Sequence, residues 1–323
     1  MPQHPQSAPH FNPVSASLIL ARPSLHFMIS LGYVCSLDAV PLMAASCLSD
    51  EAEWRIAPCS GYGSIIRQMK AGRLAGGLLP LDIFASQFLS AHAPVQSWRI
   101  LTLQAAQPRE LVISNAARNL LKPTQQFSTL PFRIALDGLN SVTQRAVETW
   151  VKKHVPHIQS RATYKVLPFN TVHQGMETTM IEAFAAPAPW GLMAQHQDLG
   201  TLQSGFLSPL ANDNAMALVI HSQHAVDVPA AMQRIQAALA HAHKQLSTPV
   251  GRALAIELLA APAPCAFPPG VLEDAFDRTP PSCSPAPASI SKIAAGLSRL
   301  VEGGVWRGNA MSNERLAQSL SVF

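Results

Sequence analysis

Charge is scarce in this chain. Of 323 residues only 13% are Asp, Glu, Lys or Arg, against 48% hydrophobic. That balance excludes a disordered polyelectrolyte and supplies ample material for a core. The net charge of +4 is spread thinly, and Lys152-Lys153 is the one adjacent basic pair. No basic stripe exists to follow a nucleic-acid backbone. Aromatic residues make up 6%, too few for a sugar-stacking surface. The five cysteines, Cys35, Cys47, Cys59, Cys265 and Cys283, are odd in number and show no C-x-x-C spacing. A zinc site or a disulfide framework is therefore not expected, and free thiols suit a reducing compartment. No apolar run is long enough to cross a bilayer. The start, Met1-Pro-Gln-His-Pro, has no basic n-region and leads into no long apolar segment. The expectation is therefore a cytoplasmic protein, with a periplasmic location as the alternative if the true start carries a signal peptide. Neither Gly-Lys-Ser/Thr nor Gly-x-Ser-x-Gly occurs, so phosphate-loop and nucleophile-elbow chemistry are excluded. The twelve histidines are dispersed. His241 and His243, two apart, face different sides of a helix, and no metal, cofactor or catalytic group is expected.

What is present is alternation. Short apolar runs at Ile29–Val34, Arg55–Ala57, Ile100–Leu103, Leu111–Ser114, Phe132–Leu136, Tyr164–Val166 and Glu182–Ala185 read as strands. Between and after them, Ser64–Ala71, Pro80–Ala91, Ser141–His154, Val172–Met180, Gly191–Gln197, Pro229–Gln245 and Pro249–Leu259 read as helices. In the third of these, Ser141 is placed to cap, and Val142, Ala146, Val147, Trp150 and Val151 form one face, with Lys152 and Lys153 at the negative end of the dipole. The alternation predicts an α/β chain with largely parallel sheets. Residues 1–25 read as a loose tail. Residues 261–289, crowded with proline, read as an extended connector. Residues 290–323 contain an amphipathic helix, Ile290, Ile293, Ala294, Leu297, Leu300 and Val301, expected to pack back on the body.

Four strand-to-helix turns can present backbone N–H groups to an anion. They are Leu37–Pro41 with Asp38 and Ala39; Ser60-Gly61-Tyr62-Gly63-Ser64; Leu139–Gln144 with Asn140, Ser141, Thr143 and Gln144; and Pro189–Gly191 with Trp190. Gln104, at the end of a strand, joins them as a candidate ligand contact.

Three blocks carry a resemblance. Glu182-Ala-Phe-Ala-Ala-Pro-Ala-Pro-Trp-Gly-Leu-Met-Ala-Gln-His-Gln-Asp-Leu-Gly200 is similar to the Pro-Trp segment of the solute-binding proteins for nitrate, bicarbonate and sulfonates of ABC transporters, matching at Pro189, Trp190, Ala194 and Gly200. Ile29 to Ala45 resembles the opening strand and loop of that family through Gly32, Asp38, Ala39, Pro41 and Leu42. Ser64 to Gly77 is similar to the family's next step, a helix followed by a Gly-x-hydrophobic-Asp-x-Ala pattern. The three stand in the family's order, and the similarity covers roughly residues 28 to 260. It implies a two-lobe, periplasmic-binding-protein-like (type II) fold with a ligand cleft between lobes. Lobe 1 would comprise 26–110 plus 205–260, and lobe 2 would comprise 111–204. Crossovers would lie near Ala106–Arg109 and Gly205–Pro209. It also implies a small-molecule anion as ligand, with nitrate-like oxyanions foremost and a role in nitrogen metabolism. The partner would be an antiterminator-type regulator if the protein is a cytoplasmic ligand sensor, or an ABC permease if it is a transport component. An enzyme on the same scaffold is the third reading. The sequence departs from the family where Ala188 replaces a glutamate, Thr143-Gln144 stand in place of a histidine, and Asn212-Asp-Asn-Ala215 replace a lysine-bearing stretch.

Overall fold

A computed structural model describes residues 28–49, 54–89, 97–122, 130–203, 206, 215–227, 229–261, 266–278, 286–308 and 312–322. The expected tail (1–25), most of the second crossover, Cys265 and Cys283 lie outside these residues.

The chain begins with β1 (Ile29–Val34), a 3-10 turn at Leu37–Ala39, α1 (Val40–Cys47), β2 (Trp54–Cys59), α2 (Tyr62–Lys70), β3 (Gly76–Pro80), α3 (Leu81–Phe88) and β4 (Trp98–Ala105). It then builds β5 (Arg109–Ser114), β6 (Phe132–Leu136), α4 (Val142–His154), β7 (Ala162–Val166), α5 (Phe169–Glu177), β8 (Ala183–Pro187), α6 (Trp190–His196) and β9 (Gly200–Leu202). It closes with β10 (Ala215–His221), α7 (Ser222–Asp227), α8 (Pro229–Leu246), α9 (Pro249–Ala260), α10 (Pro269–Arg278), β11 (Ala286–Pro287), α11 (Ile290–Glu302) and α12 (Asn313–Leu320).

Two sheets result. One runs β11-β4-β10-β3-β1-β2, the other β7-β6-β8-β5-β9. Strands β1, β2 and β3 are parallel, as are β6, β7 and β8. The chain leaves the first sheet after β4 and enters the second at β5, so Ala106–Pro108 is the first crossing. It returns between β9 and β10. These crossings reverse strand direction: β10 is antiparallel to β3 and β4, and β5 is antiparallel to β8 and β9. The sheets are therefore mixed rather than largely parallel, because a strand that closes a lobe after a crossing enters from the opposite end.

The core follows from composition. Strands β1 and β3 are buried at every residue, as both-faced coverage by helices requires. Gly76 lies so close to β10 that a Cβ there would sit 2.1 Å from the Val219 carbonyl oxygen, so glycine is required by backbone approach. In α4, Ser141 accepts the Gln144 N–H and the apolar face is buried, as its spacing predicts.

The segment 261–289 is corrected. It contains α10, whose Val271, Leu272, Ala275 and Phe276 are buried. Proline breaks a helix only beyond its first turn, and Pro269 stands at the first position, where it donates no N–H. The helix at 290–302 packs on α3 and α12 with Ile293, Leu297 and Leu300 buried. Among the described residues no helix is long and apolar enough to cross a membrane.

The cysteine expectation is also corrected. Cys35 is disulfide-bonded, while Cys47 and Cys59 are free thiols. An odd count excludes complete pairing, not a single bridge.

Candidate functional site

The loops that follow the parallel strands of the two sheets bond to one another and make the boundary between lobes. Asp38 follows β1, Ser60 follows β2, Asp82 opens α3 after β3, and Asp137 follows β6. Ligands of open α/β sheets bind outside the carboxyl ends of strands at such switch points.

A buried charge cluster spans the boundary. Arg109, at the start of β5, donates from one terminal nitrogen to Asp38 at 2.9 Å and from Nε to Asp137 at 3.2 Å. Asp38 also accepts the Gln107 N–H at 2.6 Å, and its carbonyl accepts Gln104 Nε2 at 2.6 Å. The Thr143 hydroxyl donates to Asp137 at 2.9 Å. Asp82 accepts the Val142 N–H at 2.7 Å, linking α3 of one lobe to the first turn of α4 in the other. Burial is the largest influence on Arg109 and opposes its charge, but Tyr62, Asp38, Asp137 and Asp82 together outweigh it and hold the guanidinium protonated. Burial pushes the Asp82 carboxyl up to about 6, with Asp137 adding to the shift, and burial also raises Asp137.

Further bonds tie the lobes. The Trp190 indole N–H donates to the Cys35 carbonyl at 2.8 Å, the Leu37 N–H to Ala188 O at 2.9 Å, and the Phe169 N–H to Ser60 O at 2.8 Å.

Two of the four anticipated anion turns are filled by the chain's own carboxylates. At α4 the Val142 N–H goes to Asp82. At α6 the Gly191 N–H goes to Glu110 at 2.7 Å, with Leu192 at 3.4 Å. Burial pushes that Glu110 carboxyl up to about 7 despite both N–H groups. The turn at Leu37–Ala39 spends its N–H groups on Ala188 and Ser36.

The turn Ser60–Ser64 is different. It borders a cavity of about 90 Å³, walled by Ser60, Gly61, Tyr62, Gly63, Ser64 and Arg67 on the first lobe and by Asp137 and Val166–Phe169 on the second. Gly61, the N-cap of α2, supplies no side-chain cap, and the N–H groups of Tyr62 and Gly63 have no acceptor within their own helix. Tyr62 is 1% exposed, yet its hydroxyl has no hydrogen-bond partner among the described residues. Arg67 stands exposed at the rim. A larger groove of about 610 Å³, against Lys70, Phe88, Trp98, His221 and His224, has all its walls in the first lobe.

The anticipated site residues thus divide. Ser60, Gly61 and Gly63 line the cavity. Asp38, Gln104 and Thr143 belong to the buried network behind it. Ala39 is fully buried. Ser141 caps α4 and donates to Gly138 O, while Asn140 and Gln144 bond to each other and Gln144 reaches on to Glu148. Pro189 is the N-cap of α6, after a cis Ala188–Pro189 bond. Trp190 is 7% exposed and packs on Phe267, Phe169 and His173. Arg67, Asp82, Arg109, Glu110 and Asp137 were not anticipated, and Tyr62 was anticipated only as part of its turn and not through its side chain. Among the described residues no group of three or more His, Cys, Asp or Glu side chains is arranged to hold a metal ion.

No family model matches this chain, and no curated protein matches its sequence. Solved structures do. The ligand-binding component of an ABC-type import system from Staphylococcus aureus, with zinc bound, superposes with a TM-score of 0.69 over 92% of this chain and 99% of its own, at 10% identity. The periplasmic nitrate-binding protein NrtA from Synechocystis PCC 6803 gives 0.69 over 91% and 86%, at 12% identity. The alkanesulfonate-binding protein SsuA from Xanthomonas axonopodis pv. citri, bound to MOPS, gives 0.64 over 92% and 96%, at 15% identity. The fold is that of the two-lobe solute-binding proteins. The anticipated α/β, periplasmic-binding-protein-like architecture is the observed one.

Proposed function

We propose that this chain binds a small polar solute between its lobes and serves as the solute-binding component of an ABC-type import system, with a permease as its partner. The observation that carries the reading is the cavity at Ser60–Ser64. Among the described residues it is the one anticipated turn whose helix start is not already filled by a bond from within the chain, and both lobes wall it. A ligand there touches both lobes at once, so it stabilises their closed arrangement by whatever affinity it has for that state over the open one. The fold's neighbours support transport over the sensor reading, since one is the ligand-binding component of an ABC-type import system and another is a periplasmic binding protein. The Cys35 disulfide supports an oxidising compartment outside the cytoplasm. The test is thermal unfolding of the purified chain against nitrate, nitrite, bicarbonate, alkanesulfonates, taurine and a pyrimidine. A ligand at a hundredfold excess over its Kd raises stability by about 2.7 kcal/mol. A shift with one of them that Gly61→Val removes places binding at this turn; no shift with any refutes the reading.

A further inference from the structure

The boundary between the lobes is built like an interior. Leu37, Tyr62 and Ile83 of the first lobe and Val142, Phe169 and Trp190 of the second are buried in one apolar core that crosses the boundary without a break. The Tyr62 and Phe169 rings meet edge to face at 5.7 Å. Ile83 presses so closely on the turn after β6 that a Cβ on Gly138 would sit 2.9 Å from its Cδ1. Domains move against each other by default unless their interface is large and hydrophobic. Parting these lobes would wet that apolar surface, take the Asp82 carboxylate off the Val142 N–H, and divide Arg109 between Asp38 and Asp137. The C-terminal part of the chain ties the boundary from outside. Helix α10 packs on α9, in the first lobe, and on α6 in the second. Phe267, just before α10, sets its ring edge to face against Trp190 at 5.0 Å. A second tie joins α4 to the segment beyond α11: the Arg145 guanidinium donates to the Gly304 carbonyl, while α11 itself packs on α3.

We infer that the chain clamps its own lobes closed when no solute is bound. Asp82 fastens the start of α4 from within, and Phe267 on Trp190 straps the boundary from outside. Closure is then the resting state rather than a response to a ligand. A solute bound for the cavity at Ser60–Ser64 waits on release of the clamp, and its apparent affinity is reduced by the fraction of chains that are open. The clamp concerns the lobes alone and is measured without ligand, so it stands or falls separately from the solute-binding reading above.

Amide hydrogen exchange of the ligand-free full chain, read by NMR, tests it. The Leu37 and Phe169 N–H groups each donate to a carbonyl of the other lobe and are released when the lobes part. Amides of the inner strands β1 and β8 are released only when a lobe itself unfolds. In the wild type the Leu37 and Phe169 amides should be protected to within about tenfold of those strand amides. Asp82→Ala should speed exchange at Leu37 and Phe169 by about tenfold or more relative to the strands, the worth of one hydrogen bond to a charged group. Phe267→Ala acts from the other side of the boundary and should shift the same two amides in the same direction, which keeps the test open should Asp82→Ala not fold. Wild-type exchange at Leu37 and Phe169 more than about tenfold faster than in the strands would show lobes that part on their own, and would overturn the inference. So would folded variants in which the two boundary amides and the strand amides speed up equally.

Discussion

Asp82 links the stability of this protein to pH with an unusual sign. The carboxylate is 2% exposed, accepts the Ile83 and Val142 N–H groups, and is pushed up to about 6 from an ordinary 3.8 by burial and by Asp137. The folded state therefore holds a proton here more tightly than the unfolded chain. Between about pH 4 and pH 6 the native state binds more protons than the unfolded one, so stability falls as pH rises through that window. Above pH 6 the full difference of about two units is lost, on the order of 3 kcal/mol from this one group. Glu110, pushed up to about 7, acts in the same direction and extends the decline toward neutrality. His173, lowered chiefly by burial, acts in the opposite direction, so the raw pH profile mixes signs. The difference between wild type and Asp82→Asn isolates the carboxyl. The assay is urea unfolding followed by tryptophan fluorescence at half-unit intervals from pH 4.5 to 8. Relative to wild type, Asp82→Asn should look progressively better as pH rises to 6.5 and then level off, whatever its constant offset from an imperfect amide contact at Val142. A difference that is flat across pH 4.5–6.5, or that slopes the other way, would refute the argument that this cap is a carboxyl held against its charge.

Four further outcomes follow from the same geometry. Arg109→Met should cost about 3–5 kcal/mol in urea unfolding, because Asp38 and Asp137 are left buried without their cation. Trp190→Ala should cost a comparable ~3–5 kcal/mol, since the indole packs on Phe267 and Phe169 and bonds the Cys35 carbonyl; a melting temperature equal to wild type would restore it as a replaceable cleft residue. Gly76→Ala should fail to give soluble folded protein by circular dichroism, because a Cβ 2.1 Å from Val219 O forces β3 and β10 apart. Reduction with dithiothreitol should lower stability by about 2–4 kcal/mol through loss of the Cys35 bridge, and Cys35→Ser should abolish that response.

The parts of the fold legible in the sequence are those whose signal is local. Ser141 capping a face of Val142, Ala146, Val147 and Trp150 gave α4 within a residue of its observed start. Strand β6 matches its apolar run at both ends. Strand β3 was missed: its glycines answer to approach from elsewhere in the fold, Gly76 to the Val219 carbonyl of β10 more than a hundred residues away and Gly77 to Ile65 and the Gly32 carbonyl of β1. The helix α10 was hidden by proline density, although density is the wrong quantity. What matters is where each proline falls relative to a helix start, and Pro269 falls at one.

The candidate site was legible in its turns but not in its charges, for a physical reason. A strand-to-helix turn is a property of adjacent residues, so all four helix starts could be read. Whether a helix start is open to a ligand depends on what else reaches it. Val142 is met by a carboxylate 60 residues earlier and Gly191 by one 81 residues earlier. A clue was nonetheless present. Asp82 lies between Leu81 and Ile83, and Asp137 follows the apolar run ending at Leu136. A lone carboxylate in such surroundings is driven into the interior with its neighbours, and must there find either a cation or backbone N–H groups. With Arg109 as the one buried cation among the described residues, the remaining acid has to take an N–H, and helix starts are where spare N–H groups are found. Counting isolated acids against isolated bases and helix starts would therefore have shown that some of the four turns had to be filled from within, leaving fewer for a ligand than the turns alone suggest.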